Sequence, residues 1–282
     1  MWPAIDVPLP LPSETYEGIV LECRGISKTF RRHGPGILKG TQIRALDNVS
    51  LTIGCRSITA IAGESGAGKT TLARCLAQLE QPDSGRIWIG GRELTGIHRR
   101  TNRTRRRDVQ LVFQSSAAAM NPRWTVMEVL EEPLRIASQF SRKERRERCS
   151  RMLEMVGVDP AFSTLRPQEL SGGQRQRLAI ARALMTTPRI VILDEALAGL
   201  DLLVRAQIIE MLLQLQPTLG LSYIFITHDL RLAVSLGGNL VIMRDGRIVE
   251  AGAALELFQH AQNPHTQELV AEVLRAEANV HA

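Results

Sequence analysis

Eight residues, Gly63-Glu-Ser-Gly-Ala-Gly-Lys-Thr70, carry the densest chemistry in the sequence. They fit G-x-x-x-x-G-K-[ST], a spacing whose glycines let the backbone wrap tightly and turn its N–H groups inward, toward an anion. A helical pattern, Thr71-Leu-Ala-Arg-Cys-Leu-Ala, follows directly, so its partly positive N-terminus adds to the same cradle. Lys69 is placed to reach the β- and γ-phosphates of a nucleoside triphosphate, and the Thr70 hydroxyl to ligate Mg²⁺. Position by position, the expected phosphate-binding set is Gly63, Glu64, Ser65, Gly66, Ala67, Gly68, Lys69, Thr70 and Thr71. A second constellation, Asp194-Glu195, closes the apolar run Ile190-Val-Ile-Leu193 and puts two carboxylates where a buried strand emerges. Asp194 is expected to hold Mg²⁺ through water, and Glu195 to orient or deprotonate an attacking water. Taken singly, the loop could be a fortuitous turn and the carboxylates a solvated strand end; together they argue for phosphate chemistry.

Elements of two periods must position these groups. Val49, Leu51 and Ile53 alternate, as one face of a half-buried strand does. The runs Ile58–Ala62, Val109–Phe113, Ile190–Leu193 and Tyr223–Ile226 are mostly continuous and apolar, the pattern of strands covered on both faces. They predict a mainly parallel sheet sandwiched by helices. Between residues 115 and 188 strand signals give way to helical ones, with a helix predicted from Ser141, which has capping-box spacing to Glu144. A hairpin is expected around Asp245-Gly246, and a helical tail from 254 onward with a break at Asn263-Pro264. Residues 1–17, with four prolines, read as an extended lead-in.

The segment Leu170-Ser-Gly-Gly-Gln174 decides the class. Ser171 and Gln174 again have S-x-x-Q capping spacing, which predicts a second helix start with exposed amides. Together with the phosphate loop, Asp194-Glu195 and His228, this segment resembles the ATP-binding subunits of ATP-binding-cassette (ABC) transporters, over nearly the whole chain from about residue 19. The resemblance implies a P-loop NTPase (RecA-like) α/β core, an N-terminal antiparallel β subdomain and an inserted α-helical subdomain. The cassette would span residues 18–253, the insert about 115–188 and the tail 254–282. It implies that Ser171, Gly172, Gly173 and Gln174 complete the ATP site of a partner subunit across a head-to-tail dimer. It also assigns Gln114 as the glutamine that senses Mg²⁺ and the γ-phosphate, His228 as the switch histidine, and Asp201 as the aspartate of the loop facing the partner. In Ala198-Gly-Leu-Asp201, Ala198 and Gly199 depart from the family's usual Ser-Ala or Ser-Asn. Phe30 is the candidate aromatic for stacking on adenine, with packing into a core as the plain alternative.

Within the family, Asn121-Pro-Arg-Trp-Thr-Val, Glu131-Glu-Pro-Leu134 and Asn263-Pro-His-Thr-Gln-Glu-Leu resemble the peptide, opine and nickel importers, the last as a variant of a His-Pro-Tyr-Thr segment. Asp194-Glu-Ala-Leu-Ala-Gly-Leu-Asp-Leu and Phe225-Ile-Thr-His-Asp-Leu-Arg-Leu232 are most similar to the second ATPase subunit of nickel importers. The function so implied is an ATP-hydrolysing motor that drives uptake of nickel or a metal chelate, with di- or oligopeptides as the alternative cargo. Implied cofactors are ATP and Mg²⁺. Implied partners are a second, different ATP-binding subunit, two membrane permease subunits and an external substrate-binding protein, at the cytoplasmic face of the membrane. A groove for a permease helix is expected on Asn121–Glu132, a surface rich in Trp124, Val126, Met127 and Leu130.

Composition is consistent with this. The 282 residues are 44% hydrophobic and 23% charged, a globular balance, and no apolar run approaches the roughly 20 residues needed to span a bilayer. The net charge of +6 fits an anionic ligand, nucleic acid or an acidic surface, and selects none. Six arginines in 99–107, and five arginines with a lysine in 142–151, invite a nucleic-acid reading. No aromatic platform is interleaved with them, so solvated or partner-facing surfaces are expected. His260, His265 and His281 lack tight ligand spacing and read as surface residues. Cys23, Cys55, Cys75 and Cys149 lie far apart and read as reduced thiols. The rival classes are a soluble ABC ATPase acting on DNA or ribosomes, and a metabolic P-loop kinase. The first usually adds long coiled coils or a second cassette, and the second leaves Leu170–Gln174 unexplained.

Overall fold

The computed structural model describes residues 18–32, 41–95, 107–113, 120–137 and 140–280. The 1–17 lead-in, Arg99–Arg106, Gln114 and His281 lie outside the described residues. In chain order the elements begin with β1 (Ile19–Arg32), β2 (Thr41–Gly54), β3 (Ile58–Ala62), α1 (Lys69–Leu76), β4 (Ser84–Ile89) and β5 (Arg92–Glu93). They continue with β6 (Val109–Phe113), α2 (Val126–Ala137), α3 (Arg142–Met155), α4 (Gly172–Leu184), β7 (Ile190–Asp194) and α5 (Leu202–Leu219). The last are β8 (Ser222–Ile226), α6 (Leu230–Ser235), β9 (Asn239–Arg244), β10 (Arg247–Ala253), α7 (Ala254–His260) and α8 (Pro264–Val280). Among the described residues, no helix is long and apolar enough to cross a membrane. The chain divides into two compact units, Arg107–Leu221 and Tyr16–Arg106 with Ser222–Ala282.

The second of these carries the phosphate loop. Its N-terminal part is an antiparallel sheet in the order β2-β1-β4-β5, and Val49, Leu51 and Ile53 face inward as their alternation predicts. Its core strand is β3, paired in parallel with β8 on one side and β9 on the other. Every residue of β8 is buried, as are the last four of β3, which is why their apolar runs are continuous. β9 and β10 form the expected hairpin, and Asp245 (φ 49°) and Gly246 (φ 77°) both take the left-handed conformation that such a two-residue turn requires. α6, α7 and α8 close one face of this sheet. Ala60 and Ala62 of β3 and Leu240 and Ile242 of β9 are buried with Leu230, Ala233, Ala254 and Leu257, and Leu269, Val270 and Val273 of α8 pack against them.

The tail joins this unit through one carboxylate as well as through apolar contact. Glu250 of β10 accepts from the backbone amides of Gln262 (2.8 Å) and Asn263 (3.2 Å). Asn263 in turn accepts from the His265 amide (2.9 Å), and Pro264 fills the first helical position, where a missing N–H costs nothing. The break expected at Asn263-Pro264 is thus the cap of α8.

The other unit pairs β6 with β7 in parallel and is otherwise helical. Ser141 caps α3 through a reciprocal capping box with Glu144, as its spacing predicts. Arg142, Lys143 and Arg146 of α3 are exposed. Glu131 of α2 is buried and held by Arg135 (2.8 Å), and Glu132 meets Arg182 of α4 at 2.5 Å. Two expectations need correction here. Val126 and Leu130 do not contribute to a surface: both are fully buried, because they are the inward stripe of α2. The exposed part of that segment is Asn121–Arg123, with Trp124 and Met127 half-buried.

Cys23, Cys75 and Cys149 are buried, and burial pushes each thiol up to about 12, far from the reactive thiolate form. Glu250 behaves oppositely: burial opposes its ionisation, yet the neighbouring Thr266 hydroxyl, and then the amides of Gln262 and Asn263, hold its pKa below the usual carboxylate value. Its stabilisation is therefore complete above the unfolded carboxyl pKa and is lost as pH falls through the lowered folded one. Glu250→Ala is expected to cost about 1–2 kcal/mol by leaving two amides without their acceptor. Amide exchange should quicken over 261–270 and leave β3 and β8 protected; unchanged exchange in the tail would show that Glu250 does not anchor it.

Candidate nucleotide site

The phosphate loop leaves the C-terminal end of β3, and its shape is set by close approach of backbone to backbone. Gly63 has φ 146°, and a Cβ there would lie 2.1 Å from the Met243 carbonyl oxygen of β9. Gly68 has φ 99°, and a Cβ there would lie 2.4 Å from the Ala45 carbonyl oxygen of β2. No other residue type fits either position. Between them Ala67 is buried and Glu64, Ser65 and Gly66 are exposed, so the loop presents its rim to solvent and pins its base. The base is tied further by the hairpin turn, since the Gly246 amide donates to the Ala67 carbonyl (3.1 Å) and the Asp47 amide to the Gly246 carbonyl (2.9 Å). Arg247 Nε donates to Asp47 Oδ2 at 2.6 Å, and that bond holds the Asp47 carboxyl below its ordinary range.

Lys69 is only 6% exposed, and its ammonium donates to the carbonyls of Gly63 and Glu64, both at 2.7 Å. The side chain thus folds back over the loop and holds its charge against two of the loop's own carbonyls. No side chain caps α1. The helix N-terminus follows directly on the loop, a placement that suits an anion. Thr70 is exposed beside Lys69.

One further strand end of this unit reaches the same edge. β8 runs parallel to β3 with Ile226 opposite Ile61, and the Thr227 amide donates to the Ile61 carbonyl (3.1 Å). His228 follows and is exposed, while Asp229 turns the chain by accepting from the amides of Arg231 and Leu232 to cap α6. His228 and the phosphate loop therefore leave neighbouring strand ends. Phe30 lies on β1 and is 38% exposed, with the Lys28 ammonium 5.4 Å from its ring centroid. The core-packing alternative for Phe30 does not hold.

In the other unit, Asp194 ends β7 and is 5% exposed, and Glu195 follows half-buried at φ 49°. A left-handed conformation is uncommon for glutamate and is the kind of local strain that surrounding structure must enforce. The Ala198 amide donates to the Glu195 carbonyl (2.9 Å), closing the turn that holds it. Ser171 caps α4 as predicted: its hydroxyl accepts from the Gln174 amide (3.2 Å), and Gln174 Oε1 accepts from the Ser171 amide (2.9 Å). Gly172 is exposed with open space around it. Gly173 is different, because a Cβ there would lie 2.6 Å from Val204 Cγ1 of α5. Asp201 caps α5 by accepting from that same Val204 amide (2.9 Å). The aspartate read as facing a partner thus also sets the helix that rests on the signature glycine. Gly199 has φ 78° with nothing near a Cβ, so its departure from the family pattern relaxes the turn without opening a hole.

Sequence reasoning missed three contributors, Ala45, Met243 and Val204, because they act through a backbone carbonyl or a methyl group that no motif records. Asp245-Gly246 was visible as a turn, but nothing in the sequence shows it bracing the loop. One histidine was misjudged. His260 is exposed, whereas His265 is 3% exposed and faces Glu64 of the phosphate loop.

A model of the ABC transporter family matches residues 46–198. The dipeptide transport ATP-binding protein DppF of Haemophilus influenzae is 39% identical over 261 residues, covering 93% of this chain and 80% of that protein. The nickel import ATP-binding protein NikE of Escherichia coli is 42% identical over 231 residues, covering 82% and 86%. A dimeric ATP-binding cassette solved in a post-hydrolysis state with ADP and Pi superposes with a TM-score of 0.74 at 30% identity, covering 83% of this chain and 98% of that one. The CbiO1 cassette of Clostridium perfringens superposes equally well, with a TM-score of 0.74 at 27% identity, covering 86% and 92%. The phosphate loop, the strand-end carboxylates and the capped signature helix are thus in the context of a P-loop NTPase fold, and the chain belongs to the ABC transporter family.

Proposed function

We propose that this chain is the ATP-hydrolysing motor subunit of an ABC importer that takes up nickel, a metal chelate or small peptides. The observation that carries the proposal is the preformed phosphate cradle, in which Lys69 is already buried against the carbonyls of Gly63 and Glu64. Incoming phosphate oxygens compete for that ammonium and for the amides of α1, so binding exchanges one set of acceptors for a charged one. The relatives named above include both dipeptide and nickel import subunits, which supports assigning cargo choice to permease and binding-protein partners rather than to this chain.

Thr70 and Asp194 offer oxygen donors only, the set that suits Mg²⁺. Bound there with ATP, the ion would neutralise phosphate charge. Glu195 is proposed to accept a proton from the attacking water; its left-handed backbone, closed by the Ala198 amide at the end of β7, supports that reading. His228 and Gln114 are proposed as the groups that sense the γ-phosphate, and Phe30 as the platform for adenine. Ser171–Gln174 and Asp201 are proposed to face the nucleotide of a second ATP-binding subunit, at the cytoplasmic face of the membrane.

Lys69→Ala is the direct test. The ammonium fills no apolar core, so the variant should fold, yet MgATP affinity and transport should collapse; normal transport at normal subunit levels would refute the phosphate-loop assignment. The carboxylates separate by role. Glu195→Gln should retain MgATP and slow single-turnover hydrolysis about 10²- to 10⁴-fold, because an amide cannot take the water's proton. Asp194→Asn should instead weaken Mg²⁺-dependent binding. Ser171→Arg should leave the chain's own loop able to bind and block ATP-driven pairing with the second subunit, read by size-exclusion chromatography. A normal hydrolysis rate in Glu195→Gln, or normal pairing in Ser171→Arg, removes that step.

Contact with the permease is proposed at Asn121–Trp124 and Met127, the parts of that segment left at the surface. Cysteine at Arg123 should cross-link to a cytoplasmic permease loop in assembled membranes, and cysteine at buried Leu130 should not. Capture at Leu130 alone would place the contact elsewhere.

A further inference from the structure

α8 begins within reach of the phosphate loop. His265, on its first turn, is 3% exposed, and neither ring nitrogen has a hydrogen-bond partner among the described residues. Nδ1 lies 3.8 Å from Glu268 Oε2 on its own helix and 4.0 Å from Glu64 Oε1 on the loop. Both carboxylates are about 70% exposed, so either can swing the remaining ångström to the ring, while the ring itself is fixed. Glu250 is occupied by the Gln262 and Asn263 amides, and Lys69 by the Gly63 and Glu64 carbonyls. α6, which also packs on α8, contributes Leu230 and Ala233 to the shared apolar cluster. A buried imidazole with two unmet nitrogens, aimed at two mobile carboxylates, is costly unless one of them closes on it.

We propose that His265 is a positioning residue of the phosphate loop: from the tail helix it draws in the Glu64 carboxylate, setting the loop's rim and offsetting a negative charge beside the triphosphate. This rests on the nucleotide reading above and deepens it. The physical consequence is linkage. Glu64 and the bound phosphates are both anionic, so an imidazolium that pairs with Glu64 favours ATP, and bound ATP favours the proton on His265 in return. ATP affinity should therefore be highest where histidine is protonated and fall as pH rises. Glu268 competes for the same ring, so its removal should strengthen the pairing with Glu64.

The test is equilibrium binding of MgATP to the full-length chain between pH 6 and 8. For the wild type the affinity should fall by about two- to fivefold across that range, the modest scale of a partly exposed ion pair. His265→Phe keeps the ring's bulk without its nitrogens and should show a flatter profile at the weaker level. Glu64→Gln should flatten the profile too, and adding His265→Phe to it should change nothing further. Glu268→Gln should keep the slope or steepen it. A residue that merely filled space would shift thermal stability and leave these slopes alone. A His265→Phe profile parallel to the wild type overturns the proposal, as does a Glu64→Gln variant that keeps the wild-type slope. Because Glu64 is exposed, the second arm decides the matter even if His265→Phe fails to fold. A wild type that binds no MgATP at any pH refutes the nucleotide reading itself; one that binds with no pH dependence beyond that of Glu64→Gln refutes this inference alone.

Discussion

A phosphate loop can be preorganised only if its backbone is held against something that does not move. Here that constraint is the 2.1 Å and 2.4 Å clearance that a side chain at Gly63 or Gly68 would have from the carbonyls of Met243 and Ala45. The loop is wedged between β9 and β2, and the β9–β10 turn locks it through the Gly246 amide on Ala67. Everything else about the loop follows from this grip. Lys69 can arch over a fixed base, α1 starts without a side-chain cap, and the exposed rim Glu64–Gly66 is the part left free to respond. The antiparallel sheet serves the site because β2 forms one wall of the wedge.

The unit bearing the signature segment uses the same economy of contact in a different form. One valine, Val204, both donates its amide to Asp201 and rests a methyl group where a Cβ of Gly173 would be. The turn before α5 and the start of α4 therefore meet at one residue. Three of the loop ends that surround the functional motifs are fastened in this way, by Ser171, Asp201 and Asp229 acting as helix caps. Each cap stabilises its helix by about 1 kcal/mol while fixing the chain beside a functional group.

Much of this was legible in the sequence. The glycine spacing of the loop, the carboxylates ending an apolar run, both capping boxes, the Asp245-Gly246 hairpin and the break at Asn263-Pro264 are local signals, set by steric rules acting over a few residues. Continuous apolar runs identified the covered strands β3, β7 and β8 for the same reason, whereas β6, read the same way, is buried only at Val109 and Val112. Reading Val126 and Leu130 as surface failed because an apolar residue on an amphipathic helix faces whichever side has a partner, and the partner is supplied from elsewhere in the chain.

The sequence by itself determined the local conformations and the chemical groups available: where phosphate amides would point, which carboxylates end a strand, which residues cap a helix. Tertiary structure alone decided what those groups lean on. That a glycine at 63 is obligatory because of a carbonyl at 243, that Val204 rests on Gly173, and that a tail histidine is buried against Glu64 are contacts between segments distant along the chain. Such contacts have no spacing to read, because they are made only once the core has packed and brought unrelated surfaces within van der Waals range.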